Sequence, residues 1–138
     1  MSIDDANLLA QFSQMYKTAI DSFMEEVGMF RGQALVLCKV AEQDGMTQSE
    51  IADALSVQGA TVTNMLKRME EANLVKRHRD PQDNRLVRVH ITDEGRDLEV
   101  SIANRLQCLG GAILKDISEE DRQTLRRLVW KMIDNMSG

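Results

Sequence analysis

Residues 47–92 read TQSEIADALSVQGATVTNMLKRMEEANLVKRHRDPQDNRLVRVHIT. Thr47-Gln48-Ser49-Glu50 has the form of a capping box, in which the Thr47 hydroxyl accepts from the Glu50 amide while Glu50 reaches back. It opens a short helix carrying Ile51, Ala52 and Leu55. Ser56-Val57-Gln58-Gly59 reads as a tight turn. A further helix is expected to run to about Ala72, with Val62, Met65, Leu66 and Met69 facing inward. Two short helices joined by so brief a turn form a helix-turn-helix. Asn73 stands where the chain wants a left-handed residue, a conformation that asparagine tolerates. Residues 74–79 and 86–91 are strand candidates, the second alternating apolar and polar residues with period two. Between them lies Asp80-Pro81-Gln82-Asp83-Asn84, dense in turn-forming residues. A β-hairpin directly after a helix-turn-helix is a winged helix. The expected fold class is therefore mainly α, with a winged helix-turn-helix, a two-stranded β wing and flanking dimerisation helices.

The segments on either side supply those helices. Leu9, Phe12, Tyr16, Ile20, Phe23 and Val27 recur every three or four residues, which predicts one amphipathic helix over about residues 3–26, ended by Gly28. A second helix is expected over about residues 32–43, with Leu35, Val36, Val40 and Ala41 inward and Gly45 as its stop. Thr92 is placed to cap a helix whose stripe is Leu98, Ile102, Leu106, Leu109 and Ile113. Gly110-Gly111 within it suggests a kink or a close helix approach. Ser118-Glu119-Glu120-Asp121 opens a last helix with Leu125, Leu128, Val129, Met132, Ile133 and Met136 along one side. The winged helix closes its own core with about residues 32–92. Three further apolar stripes exceed what that core can cover. Packing against a second copy would bury them with two-fold symmetry; folding back into one larger monomer is the alternative. The chain is accordingly divided into an N-terminal dimerisation helix (1–31), a DNA-binding winged helix (32–92) and C-terminal dimerisation helices (93–138).

Composition narrows the function classes. In 138 residues, 43% hydrophobic and 28% charged residues exclude a disordered chain. One proline and five aromatics leave little material for an all-β fold. No run of 18 apolar residues is present, so no membrane span is expected. The opening Met1-Ser2-Ile3-Asp4-Asp5 reads as carrying no secretory signal, and two cysteines far apart, Cys38 and Cys108, fit a reducing cytoplasm. Each cysteine is expected to be a buried small hydrophobe. No nucleophile–base pair, HExxH, glycine-rich phosphate loop or paired carboxylates occur, so no enzyme, no catalytic residue and no cofactor is expected. His78 and His90 are expected to oppose each other across the wing strands; without a nearby cluster they make poor metal ligands, and no metal is expected.

Charge is unevenly placed. The chain carries −5, yet residues 57–90 carry +3. One basic window on an acidic protein suits a single face turned to a polyanion; a solvated charge run is the plainer alternative. Gln58, Gly59, Ala60, Thr61, Thr63 and Asn64 cluster in the first turns of the second helix of the helix-turn-helix. Small and amide-bearing residues let that helix end enter a major groove, where Gln and Asn can read adenine edges. Lys67 and Arg68 follow at the groove's edge and suit phosphate. On the wing, Arg77, Asn84, Arg85 and Arg88 add donors. Arg85 at the tip can reach a narrow minor groove, with Asp83 pre-setting its guanidinium through a bidentate pair. A winged-helix protein-interaction module that binds no DNA is the competing function.

The carrying segments, Thr47 to Ala52, Val57 to Leu66, Glu71 to Val75, Asp80 to Arg85 and Val89 to Gly95, resemble the MarR family of winged-helix transcriptional regulators. The resemblance implies an obligate homodimer that binds an inverted-repeat operator in double-stranded DNA, usually as a repressor, and is released by a small anionic or phenolic effector, a metal or thiol oxidation. It implies groove-facing roles for Thr61, Thr63 and Asn64 and a wing role for Arg85 with Asp83. Gly59, Asn64 and Asn73 depart from the family's common residues, and the first two change the operator expected, since a guanine-reading Arg is missing. The resemblance also implies an effector pocket between the first, second and fifth helices, for which Tyr16, Phe30 and Arg31 could supply a hydroxyl, a ring and a cation.

Overall fold

A computed structural model describes residues 4–138. The elements are α1 (Asp5–Glu26), α2 (Arg31–Glu42), β1 (Met46–Thr47), α3 (Gln48–Leu55), α4 (Gly59–Glu71), β2 (Val75–Arg79), β3 (Val87–Ile91), α5 (Asp93–Ile113) and α6 (Glu119–Ser137). They fall into two compact units, residues up to 104 and residues 105–138. The fold is a mainly helical winged helix with a small antiparallel sheet.

Local chemistry sets the helix ends. The Asp4 carboxylate accepts from the Asn7 amide (2.8 Å) and starts α1; Ile3, where the sequence pattern begins that helix, lies outside the described residues. The Thr47 hydroxyl accepts from the Glu50 amide (3.1 Å), the forward half of the expected capping box. At the start of α2 the return half forms instead, as the Phe30 amide donates to Gln33 Oε1 (3.0 Å). Ser56, after α3, is left-handed at φ 54°, and Asn73, after α4, at φ 60°. The Thr92 hydroxyl donates to the Asn73 carbonyl (2.7 Å) and accepts from the Gly95 amide (2.9 Å), so one side chain ties the end of α4 to the start of α5.

The sheet has order β1-β3-β2. Val75 pairs with Ile91 and Arg79 with Val87, while Met46 pairs with Val89 on the other side of β3. The wing therefore has a third, two-residue strand that the expected two-stranded hairpin lacked. A segment that short has no periodicity to read. It is nevertheless anchored, because the Gly45 amide donates to the Val89 carbonyl (2.9 Å) and Asp44 Oδ1 accepts from the Ile91 amide (2.9 Å).

The core of the first unit is built around α2. Val36, Leu37 and Val40 are fully buried against Ile51, Val62, Leu66, Met69, Val75, Val89 and Ile102. Each large aliphatic side chain there contributes about 1.5–3 kcal/mol through loss of apolar surface from water. Leu35, expected inward, is exposed, and Ala41 is only half-buried. The buried face of α2 is instead Gln33, Ala34, Val36, Leu37 and Val40, and Leu35 falls outside that arc. Gly95 is where α5 meets the wing. A Cβ there would collide with the Leu74 carbonyl oxygen and with Ile91 Cγ1 at 2.8 Å, so only glycine admits this approach.

The second unit is the end of α5, a left-handed turn at Asp116 and α6. Ser118 caps α6 by accepting from the Asp121 amide (3.1 Å), and Arg122 donates back to the carbonyls of Leu114 (2.8 Å) and Ile117 (3.0 Å). No residue of α6 is buried, and its expected apolar stripe stands exposed together with Trp130. Gly110 and Gly111 lie inside the helix with open space around both, so they serve no close approach among the described residues. No described helix is long and apolar enough to cross a membrane.

Candidate nucleic-acid interface

The exposed side of α4 carries Ala60, Thr61, Thr63, Asn64, Lys67 and Arg68, with Val62, Leu66 and Met69 holding the opposite side in the core. Gln58 is the N-cap residue, and its side chain makes no capping hydrogen bond. Nothing crowds the Gly59 Cα, so the helix start is open to solvent.

At the wing tip, Arg85 Nε donates to Asp83 Oδ1 (3.0 Å) and Arg85 Nη2 to Asp83 Oδ2 (3.0 Å). This is the bidentate pair expected from the spacing. The Arg85 side chain is 89% exposed, so its guanidinium is oriented while remaining outside the protein. The Arg85 hydrogen bond holds the Asp83 carboxyl below the usual range, and Asp83 in turn raises the guanidinium. Asn84 is exposed beside it, and its carbonyl accepts from Arg79 Nη1 (2.6 Å).

Two expected DNA donors point elsewhere. Arg88 Nε donates to Asp80 Oδ2 (2.6 Å) and Arg88 Nη1 to the Gly45 carbonyl (2.9 Å). It joins the loop after β2 to the loop before β1. The Arg88 hydrogen bond, then the Gln82 amide, keep the Asp80 carboxyl below its ordinary value. Arg77 Nη2 donates to Glu70 Oε1 (3.2 Å), and Arg77 Nη1 to Gln48 Oε1 (3.1 Å). Its Nε is buried without a hydrogen-bond partner among the described residues. Both guanidiniums are drawn inward because a carboxylate waits on a neighbouring element, which a count of charges along the chain does not reveal. Glu70 is likewise held below the carboxylate range, chiefly by Arg77. Nothing in the spacing points to Gln48, Glu70, Asp80 or Asp44 as members of this surface; the arginines and the Ile91 amide that they engage lie 7 to 47 residues away.

The rings of His78 and His90 stack at 4.6 Å, inclined by 5°, and His90 Nδ1 lies 3.3 Å from Asp44 Oδ2. No group of three metal-ligating side chains occurs among the described residues. Cys38 is half-buried, and burial, followed by Glu99 and Glu42, pushes its thiol up. Cys108, expected to be buried, is exposed, because the part of α5 that carries it has no apolar layer over it.

A cavity of about 760 Å³ opens where α1 turns into α2, lined by Lys17, Asp21, Glu25, Met29, Phe30 and Arg31 among others. Phe30 and Arg31 thus fall in one cavity, but Tyr16 does not. Its ring stacks on Phe12 at 5.9 Å, on another face of α1. No residue of α5 lines this cavity, so it differs from the three-helix pocket expected. Arg31 Nε lies 3.7 Å from Asp21 Oδ1. A second cavity, about 210 Å³, is bordered by Phe30, Gln33, Thr61, Asn64, Met65 and Arg68. Phe30 borders both, and therefore links the larger cavity to the exposed side of α4.

The profile of the MarR family matches residues 31–87, the stretch from α2 into the start of β3. HTH-type transcriptional regulator MgrA of Staphylococcus aureus is 30% identical over 101 residues, covering 73% of this chain and 67% of that protein. The chain belongs to the MarR family. An HTH-type transcriptional regulator of Bacillus subtilis, YdgJ, is 27% identical over 98% of this chain and 82% of its own length. Among solved structures, MepR, a transcription regulator of the S. aureus multidrug efflux pump MepA, superposes with a TM-score of 0.83 at 26% identity, over 97% of this chain and 99% of that one. A MepR–DNA complex superposes with a TM-score of 0.80 at 26% identity over the same shares. Membership makes this chain a DNA-binding transcriptional regulator of the MarR type.

Proposed function

We propose that the chain acts as a homodimeric repressor that binds an inverted-repeat operator and leaves it when a small anionic or phenolic effector binds. The observation that carries this reading is the wing tip, where Asp83 pre-orients a guanidinium that is almost wholly in solvent. A structural ion pair would be turned inward, as Arg88 is. Gln58, Gly59, Ala60, Thr61, Thr63 and Asn64 face the major groove, Lys67 and Arg68 take phosphates, and Arg85 enters the minor groove. The dimer reading rests on apolar side chains left exposed on α1 (Leu8, Leu9, Phe12, Met15) and on α6 (Trp130, Ile133). Stripes of that extent on helices are usually covered by another surface. Residues 1–31 and 93–138 would then be the dimerisation arms around the winged helix, 32–92. The effector would occupy the cavity beside Phe30 and Arg31, with Arg31 and Lys17 as cations for an anion or phenolate. A cytoplasmic location follows from this function.

Fluorescence anisotropy with duplexes from the region upstream of its own reading frame tests the proposal. A steep fall of affinity with salt is expected, from roughly six to ten phosphate contacts per dimer. Light scattering should give twice the chain mass. Small aromatic acids should raise the melting temperature, because a ligand that prefers the folded state stabilises it. A monomer that retains no duplex and captures a protein instead would replace this reading with that of an interaction module.

A further inference from the structure

We propose that Gln48 is a positioning residue for sequence specificity, acting through Thr63. The inference rests on the DNA-binding reading above. Four side chains form one line of hydrogen bonds: Glu70 accepts from Arg77 Nη2 (3.2 Å), Arg77 Nη1 donates to Gln48 Oε1 (3.1 Å), and Gln48 Nε2 donates to Thr63 Oγ1 (3.2 Å). The Thr63 hydroxyl itself donates to the Gly59 carbonyl (3.0 Å). The line leaves α4 in its last turn, crosses β2 and the first residue of α3, and returns to α4 two turns earlier.

Its direction is fixed at one end. A guanidinium has five donors and no acceptor, so the Gln48 atom facing Arg77 must be the carbonyl oxygen. The amide nitrogen then has to face Thr63. A hydroxyl holds one donor and two lone pairs. The Thr63 donor is engaged by Gly59 and one lone pair by Gln48. What Thr63 offers outward is a single acceptor. In the major groove the matching donors are the exocyclic amines of adenine and cytosine, and the O6 and N7 of guanine and the O4 of thymine are refused. Arg77, which looks from its charge like a phosphate contact, works here as the group that fixes which end of Gln48 faces the recognition helix, and so leaves Thr63 one outward lone pair instead of two.

The test is cyclic selection of random duplexes by the full-length protein, followed by affinity and salt titration. Wild type should enrich adenine or cytosine at one position of each half-site. Gln48→Met, which keeps the shape but cannot hydrogen-bond, should lose about tenfold of that preference. Its salt slope and melting temperature should stay as in wild type, which separates positioning from a loss of fold. Thr63→Val should lose the preference at the same position, and Thr63→Ser should keep it. A Gln48→Met profile identical to wild type overturns the inference and leaves the DNA-binding reading standing. If Gln48→Met does not fold, an unchanged profile in Thr63→Val overturns it equally. A wild-type protein that enriches no sequence defeats the DNA-binding reading, and this inference with it.

Discussion

The wing carries two Asp–Arg pairs with opposite fates. At the tip, Asp83 and Arg85 meet in bidentate geometry, with the guanidinium in solvent. One step inward, where the turn joins the strands, Asp80 and Arg88 meet at 2.6 Å, with the Asp80 side chain 13% exposed and Arg88 also held by the Gly45 carbonyl. The same two residue types form a projecting contact in one place and a joint in the other. The difference is what surrounds them. The Asp80–Arg88 joint sits where β1, β3 and the loop after β2 converge, so its arginine finds a second protein acceptor. The tip has only its own turn, so its arginine retains donors for a partner outside the chain.

Substitutions should pull the two regions apart. The largest effect is expected at the other end of the hairpin, at Gly95, where α5 packs on Leu74 and Ile91. Gly95→Ala forces a methyl group into the Leu74 carbonyl and should cost about 3 kcal/mol or more of stability, read from urea denaturation. Arg85→Ala should weaken operator binding about tenfold in anisotropy while the melting temperature stays within about 2 °C of wild type. Arg88→Met should do the reverse, lowering the melting temperature by about 5 °C, with the weaker operator binding recovered on cooling. Acid gives the smallest and finest contrast. Asp80 and Asp83 both titrate below their ordinary values in the folded chain. As pH falls, the unfolded chain takes up protons first, so the stability these groups add is present above about pH 4 and is lost as pH drops through their folded values. Asp80→Asn should flatten the acid limb of a stability–pH curve more than Asp83→Asn does. Equal flattening would mean that the tip and the Asp80–Arg88 joint are not distinct.

Much of this fold is legible in the chain alone. The Thr47, Thr92 and Ser118 caps and the left-handed Asn73 follow from side-chain chemistry that acts over three or four residues. The Asp83–Arg85 pair, two residues apart, is equally local. What escapes is non-local. β1 is too short to have a pattern and exists because Met46 meets Val89. Arg77 and Arg88 look like surface cations, since nothing in the chain says that Glu70 and Asp80 will stand beside them. Tyr16 shares the spacing of the α1 stripe, but its ring settles on Phe12, away from Phe30 and Arg31. Leu35 is a different miss: at about 100° per residue it falls opposite the arc of Gln33, Ala34, Val36, Leu37 and Val40, and only its apolar character makes it look inward.

The order β1-β3-β2 has one more consequence. It leaves β2 as an outer strand, with a row of peptide groups open to any passing chain. Such edges invite strand-on-strand aggregation. Here the Arg77 amide is already taken by Glu70 Oε2 at 3.2 Å, and β2 is Val75-Lys76-Arg77-His78-Arg79, basic at nearly every step. A second copy of that strand would bring like charges face to face. Charge and the Glu70 contact thereby disfavour strand-on-strand pairing along this edge.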